Sequence, residues 1–341
     1  MYKSFFNFKK MPFGLTPDPA FLYLSASHRE TLNHLKFGIQ HGEGFILITG
    51  DVGTGKTTLC RTLLTQLKEK YKTAYIFNPI LSVKDLLKNI LEEFGIPLEH
   101  AKTKGDLITR LNQALLSFYR EGFKAVLIID EAQDLSMEVL ENIRLLSNLE
   151  TTKDKLLQIV LVGQPELEEI LHRHALRQLN QRVTVRYRLR PLSKIETYEY
   201  IQHRLIIAGP SISVRFDRSA IRAIHRLSGG VPRIINQLCD RALLVGYVEQ
   251  KRNITSKMIR KGYKALYPKE KHRFRIFRWA GIAGILCIIV AGFYLRFKSG
   301  IGSAPTSKKY LITHENTPHS FELPPNSRRT ITGGLTSRES H

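Results

Sequence analysis

Residues 50–58 read Gly50-Asp51-Val52-Gly53-Thr54-Gly55-Lys56-Thr57-Thr58. A glycine, four residues and then Gly-Lys-Thr form the phosphate-binding loop pattern. Here it lies between the apolar run 45–49 and a helical pattern over 59–70, the strand–loop–helix setting that the motif requires. The glycines allow a turn whose backbone N–H groups point inward as a nest for phosphate oxygens. The helix that follows aims its positive dipole end at the same place. In such a loop the lysine, Lys56, reaches the β- and γ-phosphates, and the hydroxyl after it, Thr57, holds Mg²⁺. Gly50, Asp51, Val52, Gly53, Thr54, Gly55, Lys56, Thr57 and Thr58 are therefore the expected nucleotide-binding residues. The chain reads as one that binds a nucleoside triphosphate.

Working outward, apolar stretches at 45–49, 73–78, 125–130, 157–163 and 183–189 alternate with helical patterns until Pro191. That alternation predicts an α/β fold, a parallel sheet covered by helices on both faces. The second of two chemical signatures is Val126-Leu127-Ile128-Ile129-Asp130-Glu131-Ala132-Gln133, about 75 residues downstream of the loop. An apolar strand ending in paired carboxylates suits hydrolysis. Asp130 is expected to hold the Mg²⁺ water shell opposite Thr57, and Glu131 to polarise the water that attacks the γ-phosphate. A further strand, 159–163, ends at Gln164, which can contact the γ-phosphate or that water.

The net charge of +22 suits an acidic partner, either nucleic acid or an anionic membrane surface, and charge alone does not choose between them. Cys60, Cys239 and Cys287 are far apart and in no metal-ligand spacing, which argues against a thiolate metal centre and against a disulfide framework. Met1–Lys10 is short and mixed, unlike a cleavable signal peptide, so the nucleotide loop is expected to face the cytoplasm.

The organisation follows from composition. A lead-in segment, 1–40, contains Pro12, Pro17 and Pro19 and then an amphipathic stretch over 27–40, expected to pack beside the nucleotide loop. The α/β core covers 41–191, and an all-helical lid 192–266. A basic linker, 267–278, leads into residues 279–295, WAGIAGILCIIVAGFYL, which carry no charge. This run is at the short end of the roughly 17–25 residues that span a bilayer. Arg278 and Arg296 bracket it, Trp279 and Tyr294 stand where interfacial aromatics are favoured, and the basic flank on its N-terminal side places residues 1–278 in the cytoplasm. The tail 296–341, rich in Ser, Thr, Pro and Gly, is expected to be disordered and extracytoplasmic.

Several stretches together resemble the AAA+ ATPases of the ExeA/GspA type, the general secretion pathway protein A family: PFGLTPDPAFLYLSASH at 12–28, GEGFILITGDVGTGKTTL at 42–59, LIIDEAQ at 127–133, LVGQPEL at 161–167, LRQLNQRV at 176–183 and GGVPRIINQLCDRAL at 229–243. ATPases of exosortase and exopolysaccharide systems, pilus biogenesis and transposition targeting look similar over the same core. The resemblance implies ATP as the nucleotide, and no Asn-Lys-x-Asp motif for guanine follows the core. It implies that Gln164 is a sensor and Arg182 an arginine finger reaching a neighbouring subunit, with Arg177 in reserve. It also implies that Arg233 is a lid arginine reading the nucleotide state, and that the assembly is a homo-oligomeric ring or arc. Relatives of this type often carry a large periplasmic peptidoglycan-binding domain, for which this sequence offers only the short polar tail.

Two functions follow. The first is a single-pass ATPase of the bacterial inner membrane that uses ATP and Mg²⁺ to assemble or remodel an envelope machine for secretion, pilus or polysaccharide export, with an envelope partner protein. The alternative is a DNA-binding ATPase of the transposition-helper kind, whose basic surface tracks nucleic acid. The apolar run 279–295 favours the first. A nucleotide-switched scaffold without turnover is disfavoured by Glu131, which a pure binder does not need.

Overall fold

The computed structural model describes residues 2–268, apart from 17, 68, 78–81, 100, 102, 153 and 210–212, and beyond them residues 287–292 and 295. Residues 1–269 form one compact unit and 270–341 a second.

The first unit is built on five parallel strands, β1 (Phe45–Gly50), β2 (Tyr71–Ile76), β3 (Lys124–Ile129), β4 (Leu157–Gly163) and β5 (Val183–Leu189), in the order β2-β3-β4-β1-β5. β1 and β4 are buried along their whole length, as strands covered on both faces must be. Side chains alternate between faces along each strand. Phe45 and Leu47 join one core with Ala74, Ile76, Leu127, Ile129, Ile159 and Leu161. That face is covered by α3 (Val83–Glu93), α4 (Lys104–Arg120), α5 (Met137–Leu146), α6 (Glu166–Leu171) and α7 (Arg177–Arg182). Ile46 and Ile48 join the other core with Val126, Ile128, Val160 and Val162, beneath α1 (Ala26–His41) and α2 (Lys56–Leu67).

The expected strand 73–78 is displaced to 71–76, because pairing with β3 sets the register from Tyr71↔Lys124 to Ile76↔Ile129. The helix expected over 59–70 begins earlier, at Lys56 itself, and ends at Leu67. A bulge between Phe45 and Ile46 shifts β5 against β1, with the Thr184 hydroxyl donating to Phe45 O at 3.2 Å.

After β5 come α8 (Lys194–Ala208), α9 (Arg218–Ser228), α10 (Pro232–Val248) and α11 (Ser256–Leu266), with a two-residue parallel pair between β6 (Arg215–Phe216) and β7 (Asn253–Ile254). Their starts are written in the sequence: Ser193 and Glu196 form a capping box on α8, Asp217 caps α9, and Pro232 opens α10.

The lead-in segment divides between two places. α1 packs beside the nucleotide loop as expected and Leu15 and Phe21 border the cavity over that loop, while the aromatic side chains before α1 also enter the helices after β5. Tyr2, Phe6, Phe8, Phe13 and Phe21 are buried in the core of α8–α11. Five large aromatic side chains need an apolar partner, and the helices supply one. Arg204 of α8 fastens this segment, donating from Nε to Pro12 O at 2.6 Å while its guanidinium lies 4.8 Å from the Phe21 ring centroid.

Among the described residues no helix is long and apolar enough to cross a membrane. Of the expected span 279–295, only 287–292 and 295 are described, so most of it lies outside the described residues; Ile288, Ile289, Val290 and Leu295 are exposed. The expected linker 267–278 is described only at Tyr267 and Pro268, and the expected tail 296–341 lies outside altogether.

Candidate nucleotide site

The loop closes from β1 into α2 with Gly53 and Gly55 at positive φ, +81° and +104°. Neither position tolerates a side chain for a second reason. A Cβ on Gly53 would stand 2.6 Å from the Arg233 Cβ, and one on Gly55 would stand 2.7 Å from His28 Nε2. The loop is therefore clamped between α1 below and the start of α10 above. Thr54 tightens it, donating from Oγ1 to Asp51 O at 2.7 Å. Lys56 is nearly buried, and its ammonium donates to Gly50 O at 2.8 Å and to Asp51 O at 3.3 Å. Asp51 makes an exposed ion pair with Arg188 at 3.6 Å, and Val52 points to solvent.

Thr57, in the first turn of α2, donates to Asp130 Oδ2 at 2.7 Å across the sheet. Asp130 is wholly buried, and the same oxygen accepts from the Tyr75 hydroxyl at 3.0 Å. Burial first, and then the Asp130 carboxylate, push the Tyr75 phenol far up from its ordinary value, so Tyr75 stays a donor. Two hard oxygen donors, a hydroxyl and a carboxylate, suit Mg²⁺, which takes few protein ligands and completes its shell with water and phosphate. Among the described residues no group of three or more His, Cys, Asp or Glu is arranged to hold a metal by itself.

Among the described residues Glu131 is one of three non-glycine residues with positive φ, at +53°. Such a conformation is unfavourable for an L-residue and clusters at functional sites. Its carboxylate accepts from Gln133 Nε2 at 2.9 Å, and the other end of that amide, Oε1, accepts from the Gln164 N–H at 3.0 Å. One side chain thus ties the end of β3 to the end of β4. The close approach demands glycine at 163, where a Cβ would lie 2.8 Å from Gln133 Oε1.

Lys56, Thr57, Asp130, Glu131 and Gln164 are therefore brought together at the carboxyl ends of β1, β3 and β4, and Arg233 joins them through the contact with Gly53 and an N–H donated to Gly53 O at 3.4 Å. Arg182 is not among them. Val183 pairs with Phe45, so Arg182 stands at the opposite end of the sheet, about 17 Å along β1 from Gly50. There its guanidinium donates to Ser147 Oγ at 2.6 Å; Arg177 is exposed. A cavity of about 650 Å³ opens over the loop, walled by Thr54, Lys56 and Glu131, by Leu15 and Phe21 of the lead-in, and by Arg233 and Asn236 of α10.

Gln133, Tyr75 and His28 did not emerge from the sequence as site residues. Gln133 lies inside the quoted LIIDEAQ stretch, where only the carboxylates drew attention. Nothing local marks Tyr75, because its link to Asp130 exists only across the sheet. His28 is buried under the loop, with Nε2 3.1 Å from Thr54 O and Nδ1 2.6 Å from Ser25 Oγ. The carbonyl can only accept, so Nε2 carries the proton and Nδ1 accepts from the serine hydroxyl. Burial holds the His28 pKa below its ordinary value.

Residues 39–171 match the family of AAA domains. General secretion pathway protein A of Aeromonas hydrophila is 47% identical over 247 residues, which cover 72% of this chain and 45% of that protein. The AAA match and this identity together support an AAA+ ATPase of the general secretion pathway protein A type. It spans less than half the length of that relative. The fold also matches solved structures: the Aeropyrum pernix ORC2 protein in ADPNP–ADP complexes (TM-score 0.58, 17% identity, 79% of this chain and 74% of that one) and Cdc6p of Pyrobaculum aerophilum (TM-score 0.57, 17% identity, 73% and 71%). At these identities the likeness concerns the fold of the AAA+ module alone.

Proposed function

We propose that the chain binds ATP with Mg²⁺ in the cavity above the loop, hydrolyses it, and uses the cycle to assemble or remodel a machine of the bacterial envelope. The observation that carries hydrolysis, as distinct from binding, is Glu131. It stands beside the Thr57–Asp130 pair in an unfavourable backbone conformation, with its carboxylate fixed by Gln133. Thr57 and Asp130 would hold Mg²⁺, which neutralises charge on the phosphates as the terminal bond breaks. Lys56 trades its two carbonyl partners for phosphate oxygens. Glu131 takes the proton of the attacking water. Gln164 orients that water or the γ-phosphate from the end of β4.

Arg182 stands at the far end of the sheet from its own loop, a position that supports service to a neighbouring subunit's γ-phosphate in a ring or arc. Arg233, seated on Gly53, is suited to report the state of the loop to the helices after β5. The envelope assignment rests on the relationship to general secretion pathway protein A and on the uncharged run 279–295, which would anchor the chain in the inner membrane with the ATPase in the cytoplasm.

The proposal is tested by Glu131→Gln, which should keep ATP binding and lose nearly all turnover; unchanged turnover would remove Glu131 from the chemistry. Arg182→Ala should be inactive alone and rescued by mixing with Lys56→Ala, and an absence of rescue at every ratio would exclude a finger acting in trans. Fractionation of the full chain against a version ending at Tyr267 tests the anchor, and a full chain that stays out of the membrane fraction would refute it.

A further inference from the structure

α9 and α11 present a surface that their own stability does not explain. The exposed residues of α9 are Arg218, Arg222 and Arg226, spaced four apart on one face. On α11 the exposed face carries Lys257, Arg260, Lys261 and Lys264, and neither helix contains an Asp or Glu. Like charges four apart on a helix repel and destabilise it. Arg218 and Lys257 also stand in first turns, where the helix dipole disfavours a cation.

The two helices lie side by side. Each starts directly after one strand of the parallel β6–β7 pair, with Arg215 opposite Asn253 and the Asp217 N–H donating to Ile254 O at 3.1 Å. The two helices pack against each other, and each carries a cationic row on its exposed face. The nearby acids already have partners. Asp217 caps α9, Asp240 accepts from Tyr2, and Glu249 takes Lys251 and Lys261. Apart from Lys261, which Glu249 pairs, the cationic residues of this face make no ion pair among the described residues.

We propose that the α9–α11 face docks onto an anionic lipid surface. Charge complementarity calls for an extended anion, and the sequence after α11 favours lipid over nucleic acid. The chain leaves α11 at Leu266 and, through a stretch containing Lys269, Lys271, Arg273, Arg275 and Arg278, reaches the uncharged run at Trp279. Basic residues beside a membrane segment are drawn to acidic headgroups within a Debye length of the surface. The docking partner is thus the bilayer to which the proposed anchor ties the chain, and the inference rests on that reading. Docking would hold the ATPase against the membrane by its helical part and leave the opposite parts of the sheet free for neighbours.

The test uses the full chain with vesicles of phosphatidylcholine, with and without phosphatidylglycerol, and reads acetylation of individual lysines by mass spectrometry. Association with neutral vesicles reports the anchor alone. Addition of phosphatidylglycerol should slow acetylation of Lys257 and Lys264 about fivefold or more, as expected for a surface that attracts each basic side chain appreciably. Lys84 and Lys104, on α3 and α4, should be unaffected. The slowing should vanish in high salt and in the triple variant Arg218→Glu, Arg222→Glu, Arg226→Glu, whose ATP turnover in detergent should match the parent. Vesicle-bound protein whose lysines are acetylated equally with and without phosphatidylglycerol would overturn the proposal. So would protection of the same lysines by duplex DNA but not by anionic vesicles. Failure to associate with neutral vesicles would count against the anchor, while slowing on anionic vesicles would still support the face.

Discussion

Replacing Gln133 by alanine separates a positioned catalytic carboxylate from one that merely lies nearby. The amide makes two bonds, a charge-assisted one to Glu131 at 2.9 Å and one from the Gln164 N–H at 3.0 Å. A hydrogen bond to a charged group contributes about 1.5–3 kcal/mol. Without it, Glu131 keeps its costly φ of +53° but loses the contact that fixes its carboxylate. If the whole of that bond serves to aim the carboxylate in the transition state, kcat should fall by about 10- to 150-fold at 1.36 kcal/mol per decade. Gln133 is not among the residues that wall the cavity, so KM should change little. Phosphate release gives kcat and KM, and a fluorescent ATP analogue gives binding directly. The decisive control is the double variant with Glu131→Gln. If Gln133 acts through Glu131, its removal should cost almost nothing once the carboxylate is gone. A kcat within twofold of the parent, a rise in KM alone, or additive losses in the double variant would refute the reasoning.

Tyr75→Phe removes one of two hydroxyl donors to a buried carboxylate, and should raise the Mg²⁺ concentration needed for half-maximal turnover several-fold; an unchanged Mg²⁺ dependence would show that Thr57 alone suffices. His28 has a folded pKa below its unfolded 6.5, so its unfolded form binds more protons between the two values. The stability it contributes is full above pH 6.5 and is lost as pH falls toward the depressed folded value. Urea midpoints should therefore drop between pH 7.5 and 5.5 more in the parent than in His28→Gln, and equal drops would exclude this residue. Burial pushes the thiols of Cys60 and Cys239 well up, so a maleimide should leave both unmodified in the folded protein. Cys287 is exposed and lies midway along 279–295; it should react in detergent-free aqueous solution but be shielded in vesicles if that run crosses the bilayer.

The sequence carried the site wherever the chemistry is local. Residues 50–58 are legible as a phosphate loop because glycines, a lysine and a helix start are contiguous there. Asp130 and Glu131 were legible because a buried parallel strand must end in polar residues at one edge, and that edge is shared with β1. The limits of β2 were not, because pairing with β3 rather than propensity fixes them. Gln133, Tyr75 and His28 act through partners 2, 55 and 26 residues away, and two of those links cross between separate elements. The lead-in lies beside the loop as expected, but its second contact was not legible: the aromatic residues before α1 state that they need a core, and nothing in their pattern says which one.

The geometry also bears on how hydrolysis could be felt beyond the site. The loop has two rigid outputs. On the sheet side, Glu131 is coupled through one amide to the backbone of Gln164, so any movement of the carboxylate bears on the end of β4. On the helical side, Gly53 has no room for a Cβ beneath Arg233, and the turn before α10 is tied back in turn. Gly230 has φ +78°, a Cβ there would collide with Leu192 O, and the Leu192 N–H donates to Gly230 O at 2.9 Å. Displacement of the loop backbone must therefore move α10 as a body or break its seat, since packed contacts of this kind shift between discrete arrangements rather than deform gradually. α10 packs against α9 and α11 through Ile224, Leu238, Cys239, Ala242 and Ile259. A change at Gly53 would thus reach the cationic face through one rigid helix. That is the shortest physical route by which nucleotide state could alter how the ATPase sits on an anionic surface.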